Sequence, residues 1–445
     1  MGKTAADGLK KDIIWNTLGS LIYALSSMVL AFIALRFAGP DDGGIFGFGF
    51  STLGQQMFIV AYFGIRPFHI TDTKREYTYG DYRRLRLYTA GLAIVIAALY
   101  LAVSMLLGHY DLRKASILIL LVAYKVCDGI ADLYESECQR IDRLYIGGME
   151  LSARTILASA ALAITVIVTC NIMLAAGAGV IMQLISILFF RQYLNGRLLK
   201  EAGYAEEVSE GNERIKSLVK DTVLIFLSVF IDFYIFSATK YSVDRFMTDA
   251  DNGIFNILFM PTSVIYLAAN FIIKPYMSRL ARVWDEREFD RFDKARRILL
   301  AYIAIMSVIA VLIANFFGTP ILKLLEMLLG TEYEGMLVSR HYEFVLLIIG
   351  GCFYAITNLY YYILVIMRRQ QLIFMDYLIM AIGVFVISRR AVTGYGMTGA
   401  AAAYAAYMLL LMIVFASTVK KGMTAEKEQT GNTPGGPENI YDKKF

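Results

Sequence analysis

Stretches of roughly 20 apolar residues, parted by short polar connectors, recur along this 445-residue chain. They constrain its fold more than any motif does. A helix of that length crosses about 30 Å of hydrocarbon. Inside such a layer no water satisfies the backbone N–H and C=O groups, so each stretch must be helical. The stretches predict about twelve spans, at 13–37, 44–65, 86–107, 115–135, 151–172, 174–193, 218–238, 252–273, 298–317, 341–367, 370–390 and 396–419. Composition agrees: 58% of residues are apolar and 18% charged, with mean hydropathy +0.55. Soluble domains run nearer half apolar and a quarter charged. A soluble globular enzyme, a nucleic-acid binder and a disulfide-stapled secreted domain are excluded. The fold class predicted is an all-α polytopic membrane protein.

The charge pattern orients the spans. With both termini cytoplasmic, cytoplasmic segments hold about 32 Lys and Arg against about 9 outside, the asymmetry expected of a multi-pass protein. The richest segments are 66–86, 191–220 and 274–297; Lys125 and Arg154 fall within spans. The net charge of +5 is spread over many loops and is no nucleic-acid signal. The first span follows Lys3, Lys10 and Lys11 and shows no cleavage-like end, so it reads as a retained helix rather than a signal peptide. The four cysteines (Cys127, Cys138, Cys170, Cys352) form no CxxC pair and read as packing residues. Three histidines (His69, His109, His341), far apart in sequence, argue against a His-based metal site.

The halves carry a repeat. Arg36, Asp41-Asp42-Gly43-Gly44-Ile45-Phe46 and Arg66-Pro67-Phe68 match Arg245, Asp251-Asn252-Gly253-Ile254-Phe255 and Lys274-Pro275-Tyr276, at an offset of about 209 residues with one gap. Six spans separate the copies, so both have the same membrane orientation. Parallel repeats of this kind predict two pseudo-symmetric six-helix lobes around a central cavity. The expected division is an N-terminal lobe at 1–200, a cytoplasmic linker at 201–217, a C-terminal lobe at 218–423 and a disordered cytoplasmic tail at 424–445.

Charge within hydrocarbon costs about 2.5–3.5 kcal/mol on insertion scales, so each case needs a partner or a wet cavity. The fourth span carries Lys125, Asp128, Asp132 and Glu135, whose steps of three and four keep them within an arc of about 80°. That stripe lines a cavity or forms a salt-bridge ladder fixing helix packing. Asp232 stands in the seventh span without a neighbouring partner in sequence. Arg154 is a cavity cation or snorkels to the interface. Arg36, Lys240 and Arg245 lie at outer span ends, where the matched arginines favour an anion-attracting mouth. Arg66 and Lys274 read as topology determinants. Asn358, Tyr360 and Tyr361 are candidate sugar contacts, although interfacial belts account for many membrane tyrosines.

With these features in view, the chain resembles the polysaccharide-export flippases of the MOP superfamily, the O-antigen and capsule translocase type also called Wzx. The resemblance rests on Asn16-Thr17-Leu18-Gly19-Ser20, on Ala38-Gly39-Pro40-Asp41-Asp42-Gly43-Gly44-Ile45-Phe46, and on Ala238-Thr239-Lys240-Tyr241-Ser242-Val243-Asp244-Arg245. The last is similar to the family's Asn-Ala-Pro-Lys-Tyr-Ala-Ile-Asp pattern, with Ser237 where the family has Asn and Thr239 where it has Pro. Gly394-Tyr395-Gly396-Met397-Thr398-Gly399-Ala400 resembles the start of the family's last helix. The resemblance implies a MATE-like fold in the bacterial cytoplasmic membrane and no cofactor. It implies transfer of an undecaprenyl-diphosphate-linked oligosaccharide between leaflets by alternating access, coupled to H+, Na+ or the membrane potential, beside a polysaccharide polymerase. Cavity cations would be Arg36, Lys125, Arg154, Lys240 and Arg245, and cavity acids or coupling groups Asp128, Asp132, Glu135 and Asp232.

Three other functions compete, one of them a flippase for the peptidoglycan precursor, which the motifs named above lean against. A cation-coupled multidrug exporter of the same superfamily commonly places a carboxylate in its first helix, and Ile13 to Phe37 contains none. A membrane glycosyltransferase or polymerase needs a sizeable outer loop, and the connections near 239–251 and 318–340 are short for it. No G-x-x-x-x-G-K-[ST] stretch occurs, which argues against direct ATP hydrolysis.

Overall fold

Long apolar runs bounded by Gly, Pro and Asn produce helices and little else in the computed structural model, which describes residues 2–72, 76–198 and 211–431. No β-strand occurs among the described residues. Helix α1 spans Gly2–Phe48 but is broken at Gly39, whose φ of 87° suits glycine; Pro40, which lacks an N–H, then opens the second arm. A π-helical turn at Gly49–Leu53 leads into α2 (Gly54–Tyr62). Phe63 and Gly64 are both left-handed, and they part α2 from the short α3 (Ile65–Thr71). Next come α4 (Tyr79–Leu106), α5 (Leu112–Arg140), α6 (Leu144–Thr169) and α7 (Ile172–Tyr193).

The second half holds α8 (Asn212–Phe246), α9 (Asp249–Ile273), the short amphipathic α10 (Met277–Asp285), α11 (Phe289–Leu329), α12 (His341–Ile366) and α13 (Gln370–Gly431). Helix α13 is broken at Gly396, with φ 57° and ψ −138°.

Nine helices among the described residues are long and apolar enough to cross a membrane, and the chain is a multi-pass membrane protein. The broken helices α1 and α13 each count once there; α5, laden with charge, does not count. The breaks fall close to the predicted ones. Cys170 (φ 50°) ends α6, and the Asn171 side chain caps α7 by accepting from the Met173 and Leu174 amides. Arg368 (φ 57°) parts α12 from α13.

Several helices outrun their predicted spans. Helix α4 starts at Tyr79 rather than 86, because Thr78 and Asp81 form a capping box there. Helix α8 starts at Asn212, inside the expected linker, and α13 carries its helix through Gly431, into the tail expected to be disordered. Hydropathy marks only the part of a helix that lies in lipid, whereas backbone hydrogen bonding continues past it. Residues 201–210 of the linker and 432–445 of the tail lie outside the described residues.

The buried apolar side chains fall into three clusters. One is built from α1, α2 and α4–α7, and one from α8–α13 with Leu35. The third joins Phe63, α3, α4, α5 and α7 to the start of α8, with Ile65, Tyr82 and Leu218 among its members. The first two clusters meet where the repeat predicted equivalence. A Cβ added to Gly44 would stand 1.7 Å from the Asp249 carbonyl oxygen, and one on Gly253 would lie 3.1 Å from the Gly44 Cα. Gly47 approaches Asn256 in the same way, at 3.3 Å. Gly44 with Gly253, and Gly47 with Asn256, are repeat equivalents at the 209-residue offset. Equivalent residues touch only near an axis relating them, so only glycine or a slim neighbour fits there.

Candidate functional site

Where the two halves diverge from the Gly44–Gly253 crossing, they enclose a cavity of about 610 Å³. Its wall comes from both arms of α1, the π turn and α2, and from α5, α8, α9 and α12. Most of the lining is apolar (Leu21, Met28, Phe46, Phe233, Met260). A few polar groups converge on it: Ser51, Lys125, Asp232, Lys240, Asn256 and Tyr354. This is the usual make-up of a ligand pocket, an apolar surface with sparse polar anchors.

Lys240 is buried on α8, and its Nζ lies 4.3 Å from the centroid of the Phe259 ring. It makes no ion pair or hydrogen bond among the described residues. Lys125, from α5, is buried with its Nζ 4.0 Å from the Phe50 centroid and donates to the Tyr23 hydroxyl at 3.3 Å. Its distance to Asp128 is 3.7 Å, long for a charged pair. Phe50 and Phe259 are themselves equivalents at the 209-residue offset, so each half sets an ammonium against the same aromatic position. Asp232 accepts from the Tyr354 hydroxyl at 2.8 Å through Oδ2, while its buried Oδ1 has no partner of normal hydrogen-bond geometry among the described residues. Tyr377 approaches the same carboxylate.

The rest of the α5 stripe turns away from the cavity, contrary to the cavity-lining expectation. Asp128 accepts from Arg154, from Gln183 Nε2 at 2.8 Å and from the Tyr23 hydroxyl at 3.1 Å. Asp132 is held by Arg66 at 2.5 Å and Arg86 at 2.8 Å, and Glu135 by Arg154 at 3.1 Å. Arg154 neither snorkels nor lines the cavity: it is 2% exposed and shared among Asp128, Glu135 and Glu150. The physical reason is valence. Three carboxylates presented to one guanidinium fork satisfy its donors within the bundle and leave none for a ligand.

The other expected residues also lie off the cavity lining. Arg36 donates to the Leu328 carbonyl at 2.6 Å, and Arg245 is exposed beside the Phe246 ring. Asn358 donates to Asn270 Oδ1 at 3.3 Å, Tyr360 is buried in the second-half core, and Tyr361 packs edge-on to Tyr362. These side chains face helix neighbours, which the one-dimensional order of residues does not reveal.

Sequence reasoning missed several charged residues. Arg66 was read as a topology marker, yet it binds Asp132. Arg86, at a predicted span edge, is wholly buried and also donates to the Tyr62 carbonyl at 2.6 Å. Lys114 bridges Asp244 at 2.9 Å and Asp249 at 2.6 Å, joining α5 to α8 and α9. Lys114 and Asp244 sit at helix ends of unfavourable polarity, which was the signal available. No group of three or more His, Cys, Asp or Glu able to hold a metal ion occurs among the described residues.

No protein-family model matches the chain, and no curated protein matches it. Solved structures do. The chain is similar to the inward-facing conformation of a multidrug resistance MATE family transporter of the MOP superfamily, with TM-score 0.63 at 13% identity over 93% of this chain and 99% of that one. A mutant of the Vibrio cholerae MATE transporter VcmN gives 0.60 at 14% identity, over 95% and 98% of the two chains. The outward-facing conformation of a multidrug resistance MATE family transporter gives 0.52 at 13% identity, over 94% and 96%. These likenesses establish the fold, that of MATE-type transporters of the MOP superfamily; the neighbours are transporters rather than enzymes.

Proposed function

We propose that this chain is a flippase that carries an undecaprenyl-diphosphate-linked oligosaccharide across the bacterial cytoplasmic membrane by alternating access. Counting both arms of α1 and of α13, and including α5, gives twelve spans in two six-helix lobes, 1–200 and 218–423, with both termini cytoplasmic. The observation that carries the reading is Lys240: a buried ammonium without an anionic partner among the described residues, on a cavity that also receives Lys125. A buried charge left uncompensated costs several kcal/mol. Such a group is retained where a ligand supplies the counter-charge, and a diphosphate head supplies two phosphoryl groups for two ammonium groups.

The lipid tail has somewhere to go. Leu21 and Leu25 of α1, with Val264 and Leu267 of α9, line the cavity and are also 39–49% exposed. An apolar, incompletely closed edge suits a prenyl chain that stays in lipid while its hydrated head crosses. Asp232 is the group suited to a coupling H+ or Na+, through the oxygen left without a well-aligned hydrogen bond among the described residues. One charge moved across 100 mV contributes about 2.3 kcal/mol, enough to bias a rocking cycle.

The same Asp232 oxygen favours a second reading, a cation-coupled exporter of cationic drugs, since a carboxylate in an apolar cavity attracts organic cations. The experiment reconstitutes the protein in liposomes with a diphosphate-linked oligosaccharide lipid and follows head-group exposure with a membrane-impermeant glycosidase. Protein-dependent exposure, lost in Lys240→Gln, supports the flippase. Transport of a cationic dye without glycolipid exposure, lost in Asp232→Asn, overturns it in favour of the exporter.

A further inference from the structure

At the Gly44 end of the bundle, polar bonds pass from one half of the chain to the other. Lys114, in the first turn of α5, reaches Asp244 at 2.9 Å and Asp249 at 2.6 Å. The Tyr110 hydroxyl also donates to Asp244, and the Asn252 amide donates to its other oxygen at 3.1 Å. Arg36 bonds the Leu328 carbonyl at 2.6 Å, and the Tyr333 hydroxyl donates to the Leu35 carbonyl at 2.8 Å. Behind the ion triad, Asn256 donates to Asn252 Oδ1 at 3.0 Å and accepts from Ser51 at 3.2 Å; both Asn256 and Ser51 line the cavity.

Local helix physics does not explain why these charges are where they are. A cation in a first turn meets the positive end of its own helix dipole, and an anion in a last turn meets the negative end. Lys114 is the former and Asp244 is the latter. Each is therefore unfavourable with respect to its own helix and finds an opposite charge across the interface. Both are buried, so parting them leaves two uncompensated charges in an apolar layer.

We infer that Lys114, Asp244 and Asp249 form an ion lock that holds this end of the cavity shut and must open once in each transport cycle. The lock does not rest on the identity of the substrate. It accounts for a molecule closed at the Gly44 end, which the Lys and Arg bias puts on the outer side. It is one asparagine removed from the cavity wall, through Asn252 and Asn256.

The test uses the full-length protein in lipid nanodiscs, with spin labels at His109→Cys and Glu334→Cys, two exposed connector positions on opposite halves at this end, in a Cys170→Ser background. Pulsed electron–electron distance measurement reads the closed and open populations. Lys114→Gln and Asp244→Asn each raise the open-to-closed ratio at least tenfold, about 1.4 kcal/mol, and Lys114→Arg keeps the wild-type distance. Asp42→Asn is the control: it breaks the bidentate Arg113–Asp42 pair, at 2.6 Å for both bonds, which lies within one half. That control keeps the wild-type distance. A closed Lys114→Gln variant, or equal opening in Asp42→Asn, overturns the lock.

Discussion

Replacing Lys240 with methionine should separate stability from ligand binding. The residue is 6% exposed, and its ammonium lies 4.3 Å from the centroid of the Phe259 ring with no ion pair among the described residues. Burying an ion without a partner costs several kcal/mol after relaxation. A cation–π contact returns about 0.5–2 kcal/mol, and water in the cavity returns part of the rest. The net penalty is then on the order of 1–2 kcal/mol. Methionine keeps the unbranched length and removes the charge, so Lys240→Met should unfold a few degrees higher than wild type in a detergent thermal melt. The same change removes a charge-assisted contact worth about 1.5–3 kcal/mol to an anion. Pyrophosphate, followed by isothermal titration, should therefore bind about 10- to 150-fold more weakly. A variant that melts lower and binds pyrophosphate as wild type does would show Lys240 to be a packing residue and refute the reasoning.

Other substitutions have different signatures. Arg154→Met strips the shared partner from Asp128, Glu135 and Glu150, and should cost about 3–5 kcal/mol, seen as loss of monodisperse protein on size-exclusion chromatography. Gly44→Leu forces a side chain onto the Asp249 carbonyl and should destabilise by about 1–3 kcal/mol, with a lower melting temperature; Gly91→Leu, where nothing lies within 4 Å, should be neutral. In complementation of polysaccharide export, Lys125→Gln should abolish export at normal protein levels. Arg245→Ala, which removes an exposed side chain off the cavity lining, should leave export within twofold of wild type.

What could be read in the sequence followed from short-range rules. The gap between the predicted spans 13–37 and 44–65 holds the break in α1, at Gly39 with positive φ followed by Pro40. Cys170-Asn171 and Arg368 ended helices near the predicted positions. The repeat offset made Gly44 and Gly253 equivalent, but that they touch emerged only from the fold. The stripe on α5 was recognised as one face, but which of its residues bordered the cavity was not legible. Whether Asp128 faced a ligand or Arg154 depended on how α6 and α7 docked against α5, and hence on contacts 26 and 55 residues away in the chain.

Amino-acid order alone marked this chain as a multi-pass membrane protein, with its apolar helical segments and the charges that need a partner, because hydrocarbon imposes those conditions on each segment separately. Tertiary packing decided which charges were answered by protein. It set Arg154 among three carboxylates and Lys114 between two, and it left Lys240 against a phenylalanine ring at the cavity wall. Coulombic pairing acts over a few ångströms of space regardless of separation along the chain, so only the folded bundle could sort the charges paired within the protein from those without an ion pair among the described residues.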